Sequence, residues 1–349
     1  MEKENKSTSK SKNTTKKSAK PATETTKKKV TTAKKNTEAK PEKAKKKPEK
    51  KVLENREPEN LKILGFNDLQ LNTYVFDNVK NPKAVVIIIH GMQEHCLRYK
   101  NFAQYLNKNN FIVIASDLRG HGHTAISKEY LGFGEKDIFT ETLKDQLNII
   151  DYANQTYNLP IYVFGHSYGS MLSQVLIQLT PLVEKCVLCG TANGSSAIMK
   201  LGNMVVNLLT PFKKPNSKGG MIEKMCIKSY GKKFERGNWL TRDESVFDAY
   251  LKDEYCGGSF PFSFYKSMIN NMHKANKGIQ KIGSKKIFLI AGDHDPVGNN
   301  GKQVAKLYKT YLKNNINAKI KLYKGARHEL INETNKEEVY RDVVDFYNE

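Results

Sequence analysis

A lone serine between two glycines is the first feature of this sequence that could do chemistry. Ser167 is the centre of Gly165-His166-Ser167-Tyr168-Gly169, which fits the pattern G-x-S-x-G. The pattern follows the apolar run IYVF and precedes an amphipathic stretch, the order in which a sharp turn holds a serine hydroxyl above a sheet. Such a turn strains the serine backbone, and its glycines let the strand and helix approach closely. The pattern predicts a nucleophilic serine, and a structural tight turn is the alternative.

A nucleophilic serine needs a base and a group that orients the base. Two loops that follow predicted strands offer them: DHDPVG after KIFLIAG, and ARHEL after KIKLYKG. His328 is the only histidine beyond His294, so it is the predicted base. The predicted acid is Asp295, because Pro296 fixes the backbone beside it. Asp293 in the same loop is the alternative candidate for the acid.

Five motifs carry a family resemblance. HGMQEHCLRY, DLRGHGHT, GHSYGS, AGDHDPVG and GARHEL resemble, in order and spacing, the monoglyceride lipase and lysophospholipase group of α/β-hydrolases, which also includes serine aminopeptidase-type proteins. The resemblance starts near residue 62 and is weakest in the cap described below. It implies Ser167 as nucleophile, Asp295 as acid and His328 as base. It also implies an oxyanion hole made by the backbone N–H groups of Met92 and Tyr168, the latter replacing the commoner methionine.

The resemblance implies a serine esterase that cleaves single-acyl lipids, a monoacylglycerol or a lysophospholipid, through an acyl-enzyme and without a cofactor or metal. One alternative is a serine aminopeptidase or a carboxylesterase acting on small soluble substrates. An aminopeptidase needs an acidic group for the substrate ammonium, and the candidates are Glu244, Asp248, Asp253 and Glu254. The other alternative is a noncatalytic protein that binds nucleic acid through a basic tail.

Short apolar runs that alternate with amphipathic stretches predict an α/β-hydrolase fold with a mostly parallel central sheet flanked by helices. AVVIIIH and FIVIASD are β-branched runs typical of strands covered on both faces. Residues 53–349 are predicted to form this domain. Residues 191–281 lack a clear buried strand and are predicted to be a helical cap over the carboxyl edge of the sheet, where ligands bind. The apolar stretch 198–209 could be cap core or line an acyl-chain site.

Positive charge is concentrated at the N-terminus. The 349 residues carry a formal charge of +22, and the first 51 hold 19 lysines against 6 glutamates, which is +13. Residues 1–52 are almost free of large apolar side chains and are predicted to be a disordered tail. The tail could be a solvated spacer, contact an anionic membrane or bind nucleic acid. No 18-residue apolar run or secretory signal is visible, which predicts a cytoplasmic protein with peripheral membrane contact through the tail.

Other conspicuous residues have structural interpretations. The HG-x and RGHG turns hold four histidines that are expected to brace loops rather than bind a metal: His90, His95, His121 and His123. Four charged residues are expected to hold the same turns through buried hydrogen bonds: Glu94, Arg98, Asp117 and Arg119. Cys186 and Cys189 lie three apart in a predicted strand and therefore point to opposite faces, so they are expected to be core thiols.

Overall fold

An eight-stranded sheet forms the centre of the computed structural model, which describes residues 57–194, 196–225, 229–272 and 275–349. The strands are β1 (Glu59–Leu64), β2 (Gln70–Phe76), β3 (Ala84–Ile89), β4 (Phe111–Ser116), β5 (Ile161–His166), β6 (Val183–Cys189), β7 (Lys286–Gly292) and β8 (Ala318–Tyr323). Their order is β1-β2-β4-β3-β5-β6-β7-β8. The β1–β2 and β2–β4 pairs are antiparallel, and the other neighbours are parallel. The predicted α/β-hydrolase fold with a mostly parallel sheet is confirmed.

Helices cover both faces of the sheet. They are α1 (Lys100–Lys108), α2 (Ile138–Tyr157), α3 (Tyr168–Leu176), α4 (Ala197–Leu209), α5 (Gly220–Glu223), α6 (Ser229–Gly231), α7 (Glu244–Lys252), α8 (Phe262–Met272), α9 (Lys302–Lys313) and α10 (Lys336–Asn348). Helices α1 and α10 contribute to one apolar layer, and α2, α3 and α9 contribute to the other. Strand β3 contributes side chains to both layers, with Ile87 on one side of the sheet and Ile88 on the other. This double covering explains the uninterrupted apolar runs.

The chain between β6 and β7 adds no strand to the sheet within its described residues. It holds α4 to α8, and its only strand-like pairing there is an isolated bridge between Lys218 and Pro261. Side-chain hydrogen bonds connect the helices of this region to one another and to α2. Ser267 on α8 accepts from the Phe139 amide on α2 at 2.9 Å, and Asn203 on α4 donates to Asn270 on α8 at 2.8 Å. Helix α8 thus links α4 to the helices that flank the sheet.

Three further predictions concern the N-terminal tail, the two cysteines of β6 and membrane-spanning helices. The predicted disordered tail, residues 1–52, lies outside the described residues. Cys186 belongs to one apolar layer and Cys189 to the other, and both are free, buried thiols. Among the described helices, none combines the length and the apolar character that crossing a bilayer requires.

Candidate active site

Ser167 lies at a sharp turn between β5 and α3. Its backbone has φ 51° and ψ −118°, a conformation that non-glycine residues rarely adopt. The turn is held because the Ser167 amide donates to the carbonyl of Cys189 on β6 at 2.9 Å, while its carbonyl accepts from the Met171 amide. The turn places Ser167 at the carboxyl end of β5, where it lines the cavity described below.

The two glycines of the motif permit this turn because each lies against backbone. A Cβ on Gly169 would overlap the carbonyl oxygens of Ile89 and His90 at the end of β3. A Cβ on Gly165 would lie 2.7 Å from the carbonyl oxygen of Gly169. Larger residues would therefore push α3 away from the sheet and displace Ser167.

The structure brings His328 and Asp295 together and leaves Asp293 apart. His328 Nδ1 lies 3.0 Å from Asp295 Oδ1, and both side chains are buried. The Val297 amide also donates to Asp295 Oδ1, at 2.9 Å. Asp293 is partly exposed and contacts the His294 ring and the Gly325 amide instead. Only Asp295 is therefore placed to orient the His328 ring.

Charges around His328 favour its protonated form. Burial alone would lower the pKa of His328, but the carboxylates of Asp295, Glu329 and Glu94 outweigh burial and raise that pKa. A stabilised imidazolium is what a general base needs after it has taken a proton. The environment of this ring thus suits proton transfer.

The turn after β3 is held by His90. The Leu118 amide donates to His90 Nε2 at 2.9 Å, so Nδ1 carries the proton and donates to the Gly91 carbonyl at 2.7 Å. Burial lowers the pKa of His90, which keeps the ring neutral in this tautomer. Met92 follows directly and lines the same cavity as Ser167 and Tyr168.

Arg98 joins the turn after β3 to the loop that carries His328. It donates to Glu94 at 2.6 Å and to both oxygens of Glu329 at 2.7 and 2.6 Å. Glu94 in turn accepts from the Gly91 amide at 2.6 Å and from the Tyr99 hydroxyl at 2.8 Å. Burial alone would raise the pKa of both carboxyls, but Arg98 holds each pKa below its usual range. The expected role of Glu94 and Arg98 in holding this turn matches these contacts, and Glu329 is an additional member.

Replacing Arg98 with methionine is expected to lower the free energy of unfolding by about 3–5 kcal/mol, because Glu94 and Glu329 stay buried without a counter-charge. Urea denaturation of wild type and variant measures the difference. The matched control is Arg236→Met, since Arg236 also contacts two carboxylates but on an exposed surface. The control should leave the midpoint nearly unchanged. Equal shifts for the two variants would show that the buried cluster contributes no special stability.

The histidines and charged residues of the other turns contact protein groups. Asp117 accepts from the Cys96 and His123 amides and from the Asn72 side chain, each at 2.9 Å. His121 Nδ1 lies 3.0 Å from the carbonyl oxygen of Arg119. These contacts fit the loop-bracing interpretation of the two motifs.

A cavity of about 380 Å³ opens beside Ser167 and His328. Apolar side chains from the turn after β3, from α3, α4 and α8, and from the chain after α5 form much of its wall: Met92, Met171, Met199, Leu201, Val205, Met225, Met268 and Ile269. Leu201 on α4 lines the cavity and is also 54% exposed, so the wall is continuous with the molecular surface. Such a cavity can bury an apolar chain next to the serine.

The acidic residues that an aminopeptidase would need do not line this cavity. Glu244 and Asp248 pair with Arg236, and Glu254 pairs with Lys128. Asp253 lies 2.8 Å from His95 Nε2. The acidic residues that do line the cavity, Glu94 and Glu329, are those bound by Arg98.

A protein family model described as "Serine aminopeptidase, S33" matches residues 80–335. The chain belongs to this family. Its curated relatives include a monoglyceride lipase homolog of monkeypox virus, 26% identical over 265 residues that cover 75% of this chain and 87% of the viral protein. The rat monoglyceride lipase is 24% identical over 259 residues, covering 71% and 76% of the two chains. A Bacillus subtilis phospholipase is 24% identical over 269 residues, covering 74% and 93%.

Solved structures agree on the fold of this family member. A thermostable carboxyl esterase from Bacillus coagulans superposes with a TM-score of 0.76 at 24% identity, covering 84% of this chain and 99% of the esterase. A soluble variant of monoglyceride lipase from Saccharomyces cerevisiae gives a TM-score of 0.65 at 18% identity, covering 85% and 96%. The sequence relatives place the chain in the lipase and esterase branch of the serine hydrolases.

Proposed function

We propose that this protein hydrolyses the carboxylic ester of a single-acyl lipid, a monoacylglycerol or a lysophospholipid. The observation that carries the proposal is the apolar cavity beside Ser167 and His328. Its wall suits an acyl chain better than the charged end of a peptide, because the acidic candidates of the cap pair elsewhere. The names of the relatives, monoglyceride lipases and a phospholipase, support the same substrate class.

The proposed mechanism uses side chains, two backbone amides and water. Ser167 Oγ attacks the ester carbonyl while His328 Nε2 takes its proton, and Asp295 holds the ring and stabilises the imidazolium. The amides of Met92 and Tyr168 donate to the oxyanion. His328 then gives its proton to the leaving alcohol, which leaves an acyl-enzyme. Water then attacks this ester while His328 takes a proton from the water. His328 returns the proton to Ser167 Oγ, and the fatty acid is released.

The cap has a proposed role in presenting the lipid. We assign residues 191–281 to the cap, with α4 beside the mouth of the cavity. Leu201, Met204 and Leu208 on α4 are 54%, 62% and 70% exposed. An exposed apolar face next to the cavity would let a substrate leave a lipid surface without crossing water. The lysine-rich tail could add attraction to an anionic membrane.

The test compares substrates on the same purified protein. Fatty-acid release is measured from a long-chain monoacylglycerol and from lysophosphatidylcholine, beside the short-chain ester of each head group and an aminoacyl arylamide. One of the lipids should exceed its own short-chain counterpart in kcat/KM by at least about tenfold, since each buried methylene contributes about 0.8 kcal/mol. Protein treated with a fluorophosphonate is the blank. Faster hydrolysis of the arylamide than of either lipid would contradict the proposal and favour an aminopeptidase.

A further inference from the structure

Three residues with metal-ligand side chains converge outside the proposed catalytic group. The donor atoms of His95, Asp253 and Cys256 all lie within 4.8 Å of one another. His95 comes from the turn after β3, three residues beyond Met92, whereas Asp253 and Cys256 come directly after α7. One imidazole, one carboxylate and one thiol are a donor set that Zn²⁺ accepts.

The two loops that carry these donors are already joined by other contacts. The Gly257 amide donates to the Gln93 carbonyl at 3.0 Å, and the Gln93 side chain donates to the Gly258 carbonyl. The Tyr255 amide donates to Asp253 Oδ1 at 2.9 Å, which leaves Oδ2 directed at His95. These bonds hold the three donors without help from an ion, and a preorganised site loses little freedom when it binds.

The surrounding charges favour a cation. Asp253, Glu94 and Glu329 are three carboxylates near Cys256, and Arg98 pairs with the two glutamates, so these four groups have a formal sum of −2. The Arg98 guanidinium is fixed by both glutamates, so it is not free to occupy the place of an ion. The side chains of His95 and Asp253 are 13% and 32% exposed, which gives an ion a route from solvent.

We propose that His95, Asp253 and Cys256 form a Zn²⁺ site that joins the chain after α7 to the turn after β3. The present 2.8 Å contact between His95 Nε2 and Asp253 Oδ2 would be replaced by one bond from each residue to the ion. Cys256 would bind as the thiolate and release its proton to solvent. Water would complete four-coordination. The Zn²⁺ site takes no part in the ester chemistry. Its effect is to hold the segment after α7 beside the turn after β3.

Cobalt binding tests the proposal, because Co²⁺ takes the ligands of Zn²⁺ and, unlike Zn²⁺, absorbs visible light. The full chain, reduced and freed of metal, is titrated with Co²⁺ while absorbance and stoichiometry are followed. We expect one Co²⁺ per chain, a thiolate charge-transfer band, and loss of both signals when Zn²⁺ is added. Zn²⁺ should also raise the Tm of the wild type, since it binds the folded state.

Matched variants locate the site. Cys256→Ser should abolish the charge-transfer band and weaken Zn²⁺ binding at least about 100-fold, more than the loss of an outer contact causes. His95→Gln should weaken binding similarly. Cys186→Ser and His294→Gln remove the same side-chain types at described positions outside the three-residue cluster and should change neither result.

Three results would overturn the proposal. One is a wild type that binds no Co²⁺ under these conditions, and another is an unchanged band in Cys256→Ser. The third is a Zn²⁺-dependent rise in Tm that persists in both ligand variants. Because Tm without metal reports whether each variant folds, a folding defect is recognised separately from the loss of the site.

Discussion

Replacing Ser167 with alanine is expected to lower kcat for ester hydrolysis by about 10⁶-fold, the cost seen when a serine hydrolase loses its nucleophile. Alanine keeps the volume of the turn but has no oxygen with which to form the acyl-enzyme. Residual catalysis would come from the oxyanion amides and substrate binding alone. The measurement is single-substrate kinetics on the preferred lipid, together with labelling by a fluorophosphonate.

The control for this variant is Ser173→Ala in α3, the helix that follows Ser167. Ser173 is buried and donates to the Gly169 carbonyl, so its loss tests whether any serine removal in α3 disturbs the turn. We expect this variant to keep most of its kcat and to react with the fluorophosphonate. Near-native hydrolysis by Ser167→Ala, or labelling of that variant at the wild-type rate, would remove Ser167 from the proposed mechanism.

The sheet could be predicted from sequence because each strand carries its own signal. The runs AVVIIIH and FIVIASD became β3 and β4, whose residues are all buried. Parallel strands in the centre of a sheet need apolar side chains on both faces, so composition alone marks them. Alternating strands and helices with right-handed crossovers predict in addition that the sheet is mostly parallel.

The interior of the proposed cap could not be divided into helices from sequence. The apolar stretch 198–209 lies in the predicted helical cap, and α4 occupies 197–209. Beyond it, α5 and α6 are single turns, and residues 213–219 are mostly exposed. Such short elements have too few turns to show a helical period, and tertiary contacts decide where they begin and end.

Some residues of the candidate site can be predicted from short local motifs, whereas others depend on contacts between residues far apart in the sequence. Ser167 and His328 follow from motifs a few residues long. Glu329 was not assigned a role, because its partner Arg98 lies 231 positions away and no local pattern connects them. The available signal was a second charge next to the predicted base. A charge beside a buried histidine requires a counter-charge, although sequence does not say where it comes from.

Asp293 and Asp295 could not be separated with certainty from sequence, since both follow β7 within three residues. Their backbone hydrogen bonds differ in the structure. The amide of Asp293 donates to the Tyr323 carbonyl on the neighbouring strand β8, whereas the amide of Asp295 donates to the Gly292 carbonyl at the end of β7. Asp293 is left at the surface beside His294, and Asp295 is carried inward to His328. Asp295 is therefore the proposed partner of His328, and Asp293, two positions away, is not.

Replacing Asp295 with asparagine is expected to lower kcat by about 10⁴-fold. Asparagine has nearly the same shape, but it no longer stabilises the imidazolium and allows the wrong tautomer of His328. Because the Asp295 carboxylate raises the pKa of His328, its removal should lower that pKa. The remaining kcat/KM depends on neutral His328, so the acid limb of its pH profile should move to lower pH.

Asp293→Asn is the matched control, with the same chemical change two residues away. Its carboxylate contacts His294 and the Gly325 amide at the surface, so kcat should fall less than about tenfold, with the acid limb unmoved. Because a general loss of stability would lower kcat without moving the limb, the shift in Asp295→Asn distinguishes orientation of His328 from a structural defect. A 10⁴-fold loss in Asp293→Asn with near-native kcat in Asp295→Asn would reverse the assignment of the acid.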